Sequence, residues 1–448
     1  MPPNILWLMT DEQRTDSMGC YGSPWAQTPC LDRLAGQGAL FKNAVTQAPV
    51  CGPARAAILT GEYPSKSDVW YNSPATTFQS HLTDVFRSAG YQTASFGKQH
   101  YVATNQAFDD EGHFVLSDQV SYFKYNDQFN PDDFGAVTYP PEPYGWIFGG
   151  RFPGGADQTS EAKSVAAAKS WLEDRSGEEP FLLRVSFNGP HTPAVPPEPF
   201  DTIINGDHIV FPPEVESITQ GESDWIASSL RPMADSNRLT QTQISAMRRY
   251  YYGEVAYLDS LIEELTDWMG VCGFLDNTIV MFVSDHGAHL GDHLLVQKQT
   301  FYEPSVTVPC FITHTQTVNG GQVVETPVET RWLLPTLLEL SGLSAPDHLS
   351  NCSMSIPLAG GVEPPSVPVF SEFTLGSFGI RHDDRLVMVR DGNWKLSMCL
   401  DPTPHDSALY NLGTDPFELT NLAGLAESHH IESRLSGLIE NHISESST

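Results

Sequence analysis

Ile5-Leu6-Trp7-Leu8-Met9-Thr10-Asp11-Glu12 and Thr278-Ile279-Val280-Met281-Phe282-Val283-Ser284-Asp285-His286 follow one pattern. Each is a short apolar run without polar alternation, and each ends on ionisable side chains. Such runs read as strands buried on both faces, the usual state of strands in a parallel sheet. Residues 91–96, 181–187 and 308–312 read the same way. Between them lie helical patterns: an Ala-rich amphipathic stretch at 160–174, a long stripe at 243–269 through Met247, Tyr251, Val255, Leu258 and Leu265, and a third at 329–340. Strands alternating with helices predict an α/β fold, a large domain whose mostly parallel central sheet is flanked by helices. Near residue 345 the texture changes. Residues 386–390 and 394–398 flank an Asp391-Gly392-Asn393 turn, a hairpin signal, and a helix follows near 431–443. The expected organisation is a large α/β domain over 1–345 and a small C-terminal α+β domain with an antiparallel sheet over 346–448. Two stretches break the rhythm, 105–158 and 193–238; long irregular inserts of this kind serve as lids or binding loops.

Four of the apolar runs lead directly into chemistry. Asp11 and Glu12 follow the first, Lys98 and His100 the second, His191 the third, and Asp285 and His286 the fourth. Ligands of open α/β sheets bind at the carboxyl ends of the strands, so parallel neighbours would gather all these groups in one cleft. Asp11, Glu12, Asp285 and His286 then read as metal ligands, because clustered carboxylates need a cation. Either acidic pair alone is most simply a polar loop; two pairs at two strand ends favour a metal. An oxygen-rich set suits Ca²⁺, Mn²⁺ or Mg²⁺, and the histidine tilts toward Mn²⁺.

The 448 residues carry 55 Asp+Glu against 24 Lys+Arg, a net charge of −31, which argues against nucleic acid as a partner. No apolar run approaches the roughly 20 residues that span a bilayer, so no membrane is expected. With no basic flank before the short run at 5–9, the chain as given reads as cytoplasmic. The seven cysteines are odd in number and show no zinc or redox spacing, so most read as small buried hydrophobes. Cys51 differs. It lies in Pro49-Val50-Cys51-Gly52-Pro53-Ala54-Arg55, just ahead of a helix bounded by Pro53 and Gly61, where an anion is favoured.

Cys51-x-Pro53-x-Arg55 with Thr60-Gly61 closely resembles the signature of the sulfatase family, in the alkaline phosphatase superfamily. The resemblance continues in order along the chain. It includes Asn4–Asp11, Gly97-Lys98-x-His100, Pro190-His191-x-Pro193, Ser284-Asp285-His286-Gly287, Leu290-Gly291-Asp292-His293 and Lys298. In the C-terminal part it includes Arg390-x-Gly392-x-Trp394-Lys395, Leu409-Tyr410-Asn411-Leu412 and Asp415-Pro416-x-Glu418. This resemblance implies an alkaline phosphatase-like fold and hydrolysis of a small-molecule or carbohydrate sulfate ester. It further implies a formylglycine made from Cys51 by a formylglycine-generating enzyme, and one divalent metal, Ca²⁺ first, held by Asp11, Glu12, residue 51, Asp285 and His286. By the same resemblance Arg55 holds the position-51 oxygens, Lys98 and Lys298 clamp the sulfuryl group, His191 is the general acid and His100 the base. Three features depart from many sulfatases: Glu12 in place of Asp, Ala54 in place of Ser, and His286 in place of Asn. Ala54, His286 and Asn72, the last at a substrate-binding position, resemble the phosphonate monoester hydrolase branch, whereas Lys98-x-His100 resembles true sulfatases. A phosphonate or phosphodiester hydrolase with the same nucleophile is therefore the second expectation.

Overall fold

The computed structural model describes residues 2–72, 81–100, 107–114, 135–138, 147–175, 178–206, 209, 223, 225–374, 385–400 and 406–446. The central nine-stranded sheet contains β1 (Asn4–Thr10), β2 (Ala39–Val45), β3 (Gln92–Gly97), β4 (Asp110–Gly112), β5 (Phe181–Ser186), β6 (Thr278–Ser284), β7 (Thr307–Thr313), β8 (Gln322–Val324) and β9 (Val328–Glu329). Its order is β8-β2-β7-β6-β1-β5-β3-β4, with β9 also paired to β2. Side chains of β1 alternate between two cores. Ile5, Trp7 and Met9 enter one, Leu6 and Leu8 the other, and all five are fully buried. Both faces are thus covered, which is why the sequence shows an unbroken apolar run.

Register decides where the chemistry emerges. β1 pairs in parallel with β6 from Asn4↔Thr278 to Thr10↔Ser284, so Asp11 and Asp285 leave adjacent strands at the same level. Met9 pairs with Ser186 of β5, and Gly97 of β3 pairs with the same Ser186, which brings Lys98 and the chain leading to His191 to that level too. The run at 308–312 was expected to be parallel, but β7 is antiparallel to both β6 and β2. Burial on both faces gives the same apolar run in either direction, so its composition carries no sign of polarity. The reversal has a consequence. β2, two antiparallel steps from β6, runs in the same direction as the site strands and delivers residue 51 to the same end of the sheet.

Helices α1 (Pro29–Gly36), α3 (Ser160–Glu173) and α4 (Gln241–Val271) and helices α2 (Cys51–Thr60) and α5 (Leu333–Leu340) flank the sheet. A capping box, Thr240 with Gln243, starts α4. The pattern at 329–340 resolves into the end of β9, a 3₁₀ turn at Thr330–Trp332, and α5. The C-terminal part is an antiparallel meander of β10 (Val369–Thr374), β11 (Arg385–Asp391), β12 (Trp394–Cys399) and β13 (Asp406–Asn411), with α6 (His429–Ser446). One sheet face joins the main core through Val369, Phe373, Leu386 and Met388, and the other packs Val387, Val389, Leu396 and Leu409 against Leu435 and Ile439 of α6. Leu435 is fully buried there. Leu435→Ala is expected to lower the unfolding free energy by about 2–5 kcal/mol in urea titration; the exposed Glu440→Ala should change it by less than about 0.5 kcal/mol.

Much of the two inserts, including 115–134, 139–146 and 210–222, lies outside the described residues, and so does the lid expected there. Among the described residues no helix is long and apolar enough to cross a membrane.

Candidate active site

Cys51 is the first residue of α2, with Val50 in extended conformation as the N-cap, so the helix begins two residues before Pro53. Its side chain is fully buried at the carboxyl end of the sheet. Cys51 Sγ lies 3.8 Å from Asp11 Oδ1, 3.1 Å from His286 Nε2 and 3.4 Å from Lys298 Nζ. His100, on a left-handed backbone with φ 47°, hydrogen-bonds the same sulfur. Around them lies a closed set of ion pairs. Arg55, one helical turn on from Cys51 and fully buried, donates from Nε to Asp285 Oδ2 at 2.8 Å and from Nη2 to Asp11 Oδ2 at 2.8 Å. Its Nη1 donates to Ser186 Oγ and to the Lys98 carbonyl. Lys98 Nζ pairs with Asp11 Oδ2 at 2.5 Å, and Lys298 Nζ donates to Glu12 Oε2 at 3.1 Å. His191 Nε2 stands 3.4 Å from Glu12 Oε2 and 3.9 Å from Asp11 Oδ1, while its Nδ1 meets the Thr192 carbonyl at 2.7 Å.

The electrostatics favour an anion at position 51. Burial pushes the Cys51 thiol up, but Lys298, Lys98, His286 and the His100 hydrogen bond outweigh it and hold the thiol well below its ordinary range. Burial and Cys51 push the Asp11 carboxyl up, yet Lys98, His191 and Arg55 together keep it ionised. Asp285 goes the other way: burial and the neighbouring Asp11 raise it above the ordinary range.

Charge alone does not demand a metal, because Arg55, Lys98 and Lys298 already face Asp11, Asp285 and Glu12. Donor chemistry makes the better test. Asp11, Cys51, Asp285 and His286 each offer a ligand atom within 4.8 Å of the others, all buried. The His286 Nδ1 sits 2.9 Å from the Gly287 carbonyl, so with the proton on Nδ1 the Nε2 lone pair faces the cluster. That outer hydrogen bond is how proteins orient a ligating imidazole. The residues fit a divalent cation. Glu12 falls in a second grouping with Asp11 and His191, on the Lys298 side.

The expected residues Asp11, Glu12, Cys51, Arg55, Lys98, His100, His191, Asp285, His286 and Lys298 thus come together around one buried point. Lys98 and Lys298, which a solvated role would expose, are 8% and 6% exposed. Asn72 sits at the edge, where its Oδ1 accepts the Gly52 N–H at 2.8 Å. Asp292 belongs to a neighbouring cluster: Arg14 Nη1 donates to its Oδ2 at 2.5 Å and Arg248 Nη2 at 3.1 Å.

The sequence model of the sulfatase family matches residues 3–343, three quarters of the chain. The chain belongs to the sulfatase family. A second model, N-sulphoglucosamine sulphohydrolase C-terminal, matches residues 291–445 of this sulfatase. The choline-sulfatase of Rhizobium meliloti is 31% identical over 450 residues, covering 94% of this chain and 82% of its own. An arylsulfatase of Clostridium perfringens is 27% identical over 379 residues, covering 79% of this chain and 78% of its own. Among solved structures, the phosphonate monoester hydrolase of Agrobacterium radiobacter superposes with a TM-score of 0.83 at 24% identity, covering 99% of this chain and 96% of that one, a likeness of fold.

Two further side chains support the sulfatase site. Tyr251 Oη donates to the Glu12 carbonyl at 2.6 Å and accepts from the Arg14 N–H at 2.8 Å, pinning the turn where Glu12 has φ 65°. Its place in the α4 stripe marked it as core, and periodicity carries no sign of what a hydroxyl will meet. His289 Nε2 lies 2.7 Å from Thr300 Oγ1 and so steadies the segment that bears Lys298. Burial pushes His289 down to about 3 and its neighbour His293 to about 4. The unfolded chain binds these protons near pH 6.5, the folded one only far below, so stability falls as pH drops from about 6.5 toward 4. These two histidines are expected to pull the urea midpoint down between pH 7 and pH 5, so His289→Gln should be destabilised less than wild type by that change of pH; an identical pH response of the two proteins would contradict the assignment.

Proposed function

We propose that this sulfatase hydrolyses a sulfate monoester to an alcohol and inorganic sulfate, with residue 51 as nucleophile after conversion of Cys51 to formylglycine. The observation that carries this reading is the convergence of Lys298, His286, His100 and Asp11 on the position-51 side chain. Formylglycine supplies an aldehyde hydrate, whose oxygen can displace the ester alcohol and afterwards release sulfate as the aldehyde re-forms. A divalent cation, Ca²⁺ first and Mn²⁺ or Mg²⁺ as alternatives, would be held by Asp11, Asp285, His286 and residue 51 with Glu12 alongside, and supplies Lewis-acid activation.

The remaining work falls to the chain's own side chains. Arg55 fixes both Asp11 and Asp285 through separate nitrogens, so the two carboxylates keep one geometry. Lys298, 3.4 Å from the Cys51 sulfur, and Lys98, paired with Asp11, neutralise the sulfuryl oxygens as charge develops. His191 Nδ1, held on the Thr192 carbonyl, leaves Nε2 to deliver a proton to the leaving alcohol. His100, hydrogen-bonded to the position-51 side chain, would serve as the base at that position. Substrates of the relatives include choline sulfate and aryl sulfates, by their names, and a small sulfate ester is the class assigned to this chain. The second reading, a phosphonate or phosphodiester hydrolase, draws on Asn72 beside the Gly52 N–H; Lys98 and His100 at the nucleophile favour the first.

The test is kcat/KM on p-nitrophenyl sulfate, p-nitrophenyl phenylphosphonate and bis-p-nitrophenyl phosphate, with enzyme co-produced with a formylglycine-generating enzyme. The sulfate is expected to be turned over best, chelation should abolish activity, and Ca²⁺ should restore it. A preference for the phosphonate or the diester would transfer the assignment to the second reading. Full activity after chelation would remove the metal from it.

A further inference from the structure

Two carboxyl side chains with no part in this chemistry lie beneath the segment that carries His191. Glu161, in the first turn of α3, and Glu254, midway along α4, are 1% and 3% exposed. Glu161 Oε1 accepts the Gly189 N–H at 3.2 Å, and its Oε2 accepts from Ser160 Oγ at 2.8 Å. Ser160 Oγ in turn lies 3.3 Å from Asn188 Nδ2, which also donates to the Phe114 carbonyl. The Glu254 carboxyl accepts the Val195 N–H. The Gly189 backbone presses so closely on Glu254 that a Cβ there would stand 2.9 Å from Oε1 and 3.0 Å from Cγ. One carboxyl thus holds the chain at Gly189, the other holds it at Val195 and abuts Gly189 as well, and His191 lies between. Gly189 also accepts from the Asp11 N–H at 3.2 Å, so a shift at Gly189 changes the height of His191 relative to Asp11.

A core built only for packing would place an apolar side chain at 254. Glu254 Oε2 instead has no hydrogen-bond partner among the described residues, and burial with Glu161 nearby pushes its carboxyl well above the ordinary range. Burying an unsatisfied polar atom costs stability, and local rules are broken in this way mainly where function requires it.

We infer that Glu161 and Glu254 are positioning residues for His191, a buried carboxyl pair that clamps the 189–195 backbone from below and sets the depth at which the imidazole enters the site. This rests on His191 being the general acid. Proton donation matters most for poor leaving groups, which supplies a readout that loss of structure alone would not move. The measurement is kcat/KM for p-nitrophenyl sulfate and for an alkyl sulfate in the metal-loaded, converted enzyme, comparing wild type, His191→Ala, Glu161→Ala, Glu254→Ala, Glu161→Gln and Glu254→Gln. The alanine variants should lose about 10–10²-fold more on the alkyl ester than on p-nitrophenyl sulfate, in the direction of His191→Ala. The glutamine variants, which keep the acceptor oxygen, should restore the ratio. Equal losses on both esters, or none, would overturn the clamp while His191→Ala stays selective. A His191→Ala without leaving-group selectivity would overturn the acid assignment and the clamp with it. Glu254→Met, which fills the volume without the hydrogen bond to Val195, provides the same comparison if the alanine variants do not fold.

Discussion

Cys51→Ala is expected to lower kcat/KM on p-nitrophenyl sulfate by at least about 10⁴-fold, because a missing nucleophile removes a covalent route that the remaining groups cannot replace. The fold should survive. Alanine adds no bulk, and α2 continues through Ala56, Ala57 and Ile58, all fully buried. Two controls make the result specific. Wild-type chain produced without a formylglycine-generating enzyme should be nearly as inactive as the variant, and mass spectrometry of the peptide containing residue 51 should show thiol rather than aldehyde. A variant as active as the converted wild type would remove residue 51 from the reaction, whatever else lies nearby.

Arg55→Met should be the most damaging substitution for stability. Arg55 contributes one nitrogen to each of two fully buried carboxylates, and its third nitrogen goes to Ser186 Oγ and the Lys98 carbonyl. Removing it leaves Asp11 and Asp285 facing each other with less compensation. Breaking one side of a buried charge network costs about 3–5 kcal/mol. Acid should not simply rescue the variant, since protonating the carboxylates also removes the partners of Lys98. A divalent cation should, in part. The melting temperature of Arg55→Met is expected to rise more on adding Ca²⁺ than that of wild type, and to drop furthest in chelator. Equal responses would mean that the two carboxylates do not share a cation.

The Arg55 network also shows how little of the site depends on any single residue type. Three basic side chains and three carboxylates interlock around Cys51. Low dielectric makes each of these contacts worth more than it would be at the surface.

Much of this was legible in the chain. Apolar runs ending in Asp11-Glu12 and Asp285-His286 announced a buried parallel pair with chemistry at its carboxyl end, and the pairing of Thr10 with Ser284 brings those ends level. Cys51-Gly52-Pro53-Ala54-Arg55 announced a helix start with an anion-seeking residue, since proline suits a first turn and the local signal needs no distant partner. The hairpin around Gly392 was equally local: its φ of 59° is a conformation glycine adopts freely. β2 (Ala39–Val45) was not read as a strand, because Lys42 and Asn43 interrupt its apolar run.

Other features existed only once the chain had folded. The direction of β7 could not be read, since a strand buried on both faces has the same composition whichever way it runs. Neither could the partners of Arg55, Lys98 and Lys298, which are Asp11 and Glu12 at the end of β1 and Asp285 at the end of β6, far from them along the chain. Nor could the hydroxyl of Tyr251 on the Glu12 turn, or the carboxyls of Glu161 and Glu254 beneath His191. Helix and strand periodicity report which side of an element is buried, because burial repeats along the chain. A polar atom on that side finds its partner by three-dimensional proximity, and only the packed sheet and helices supply that.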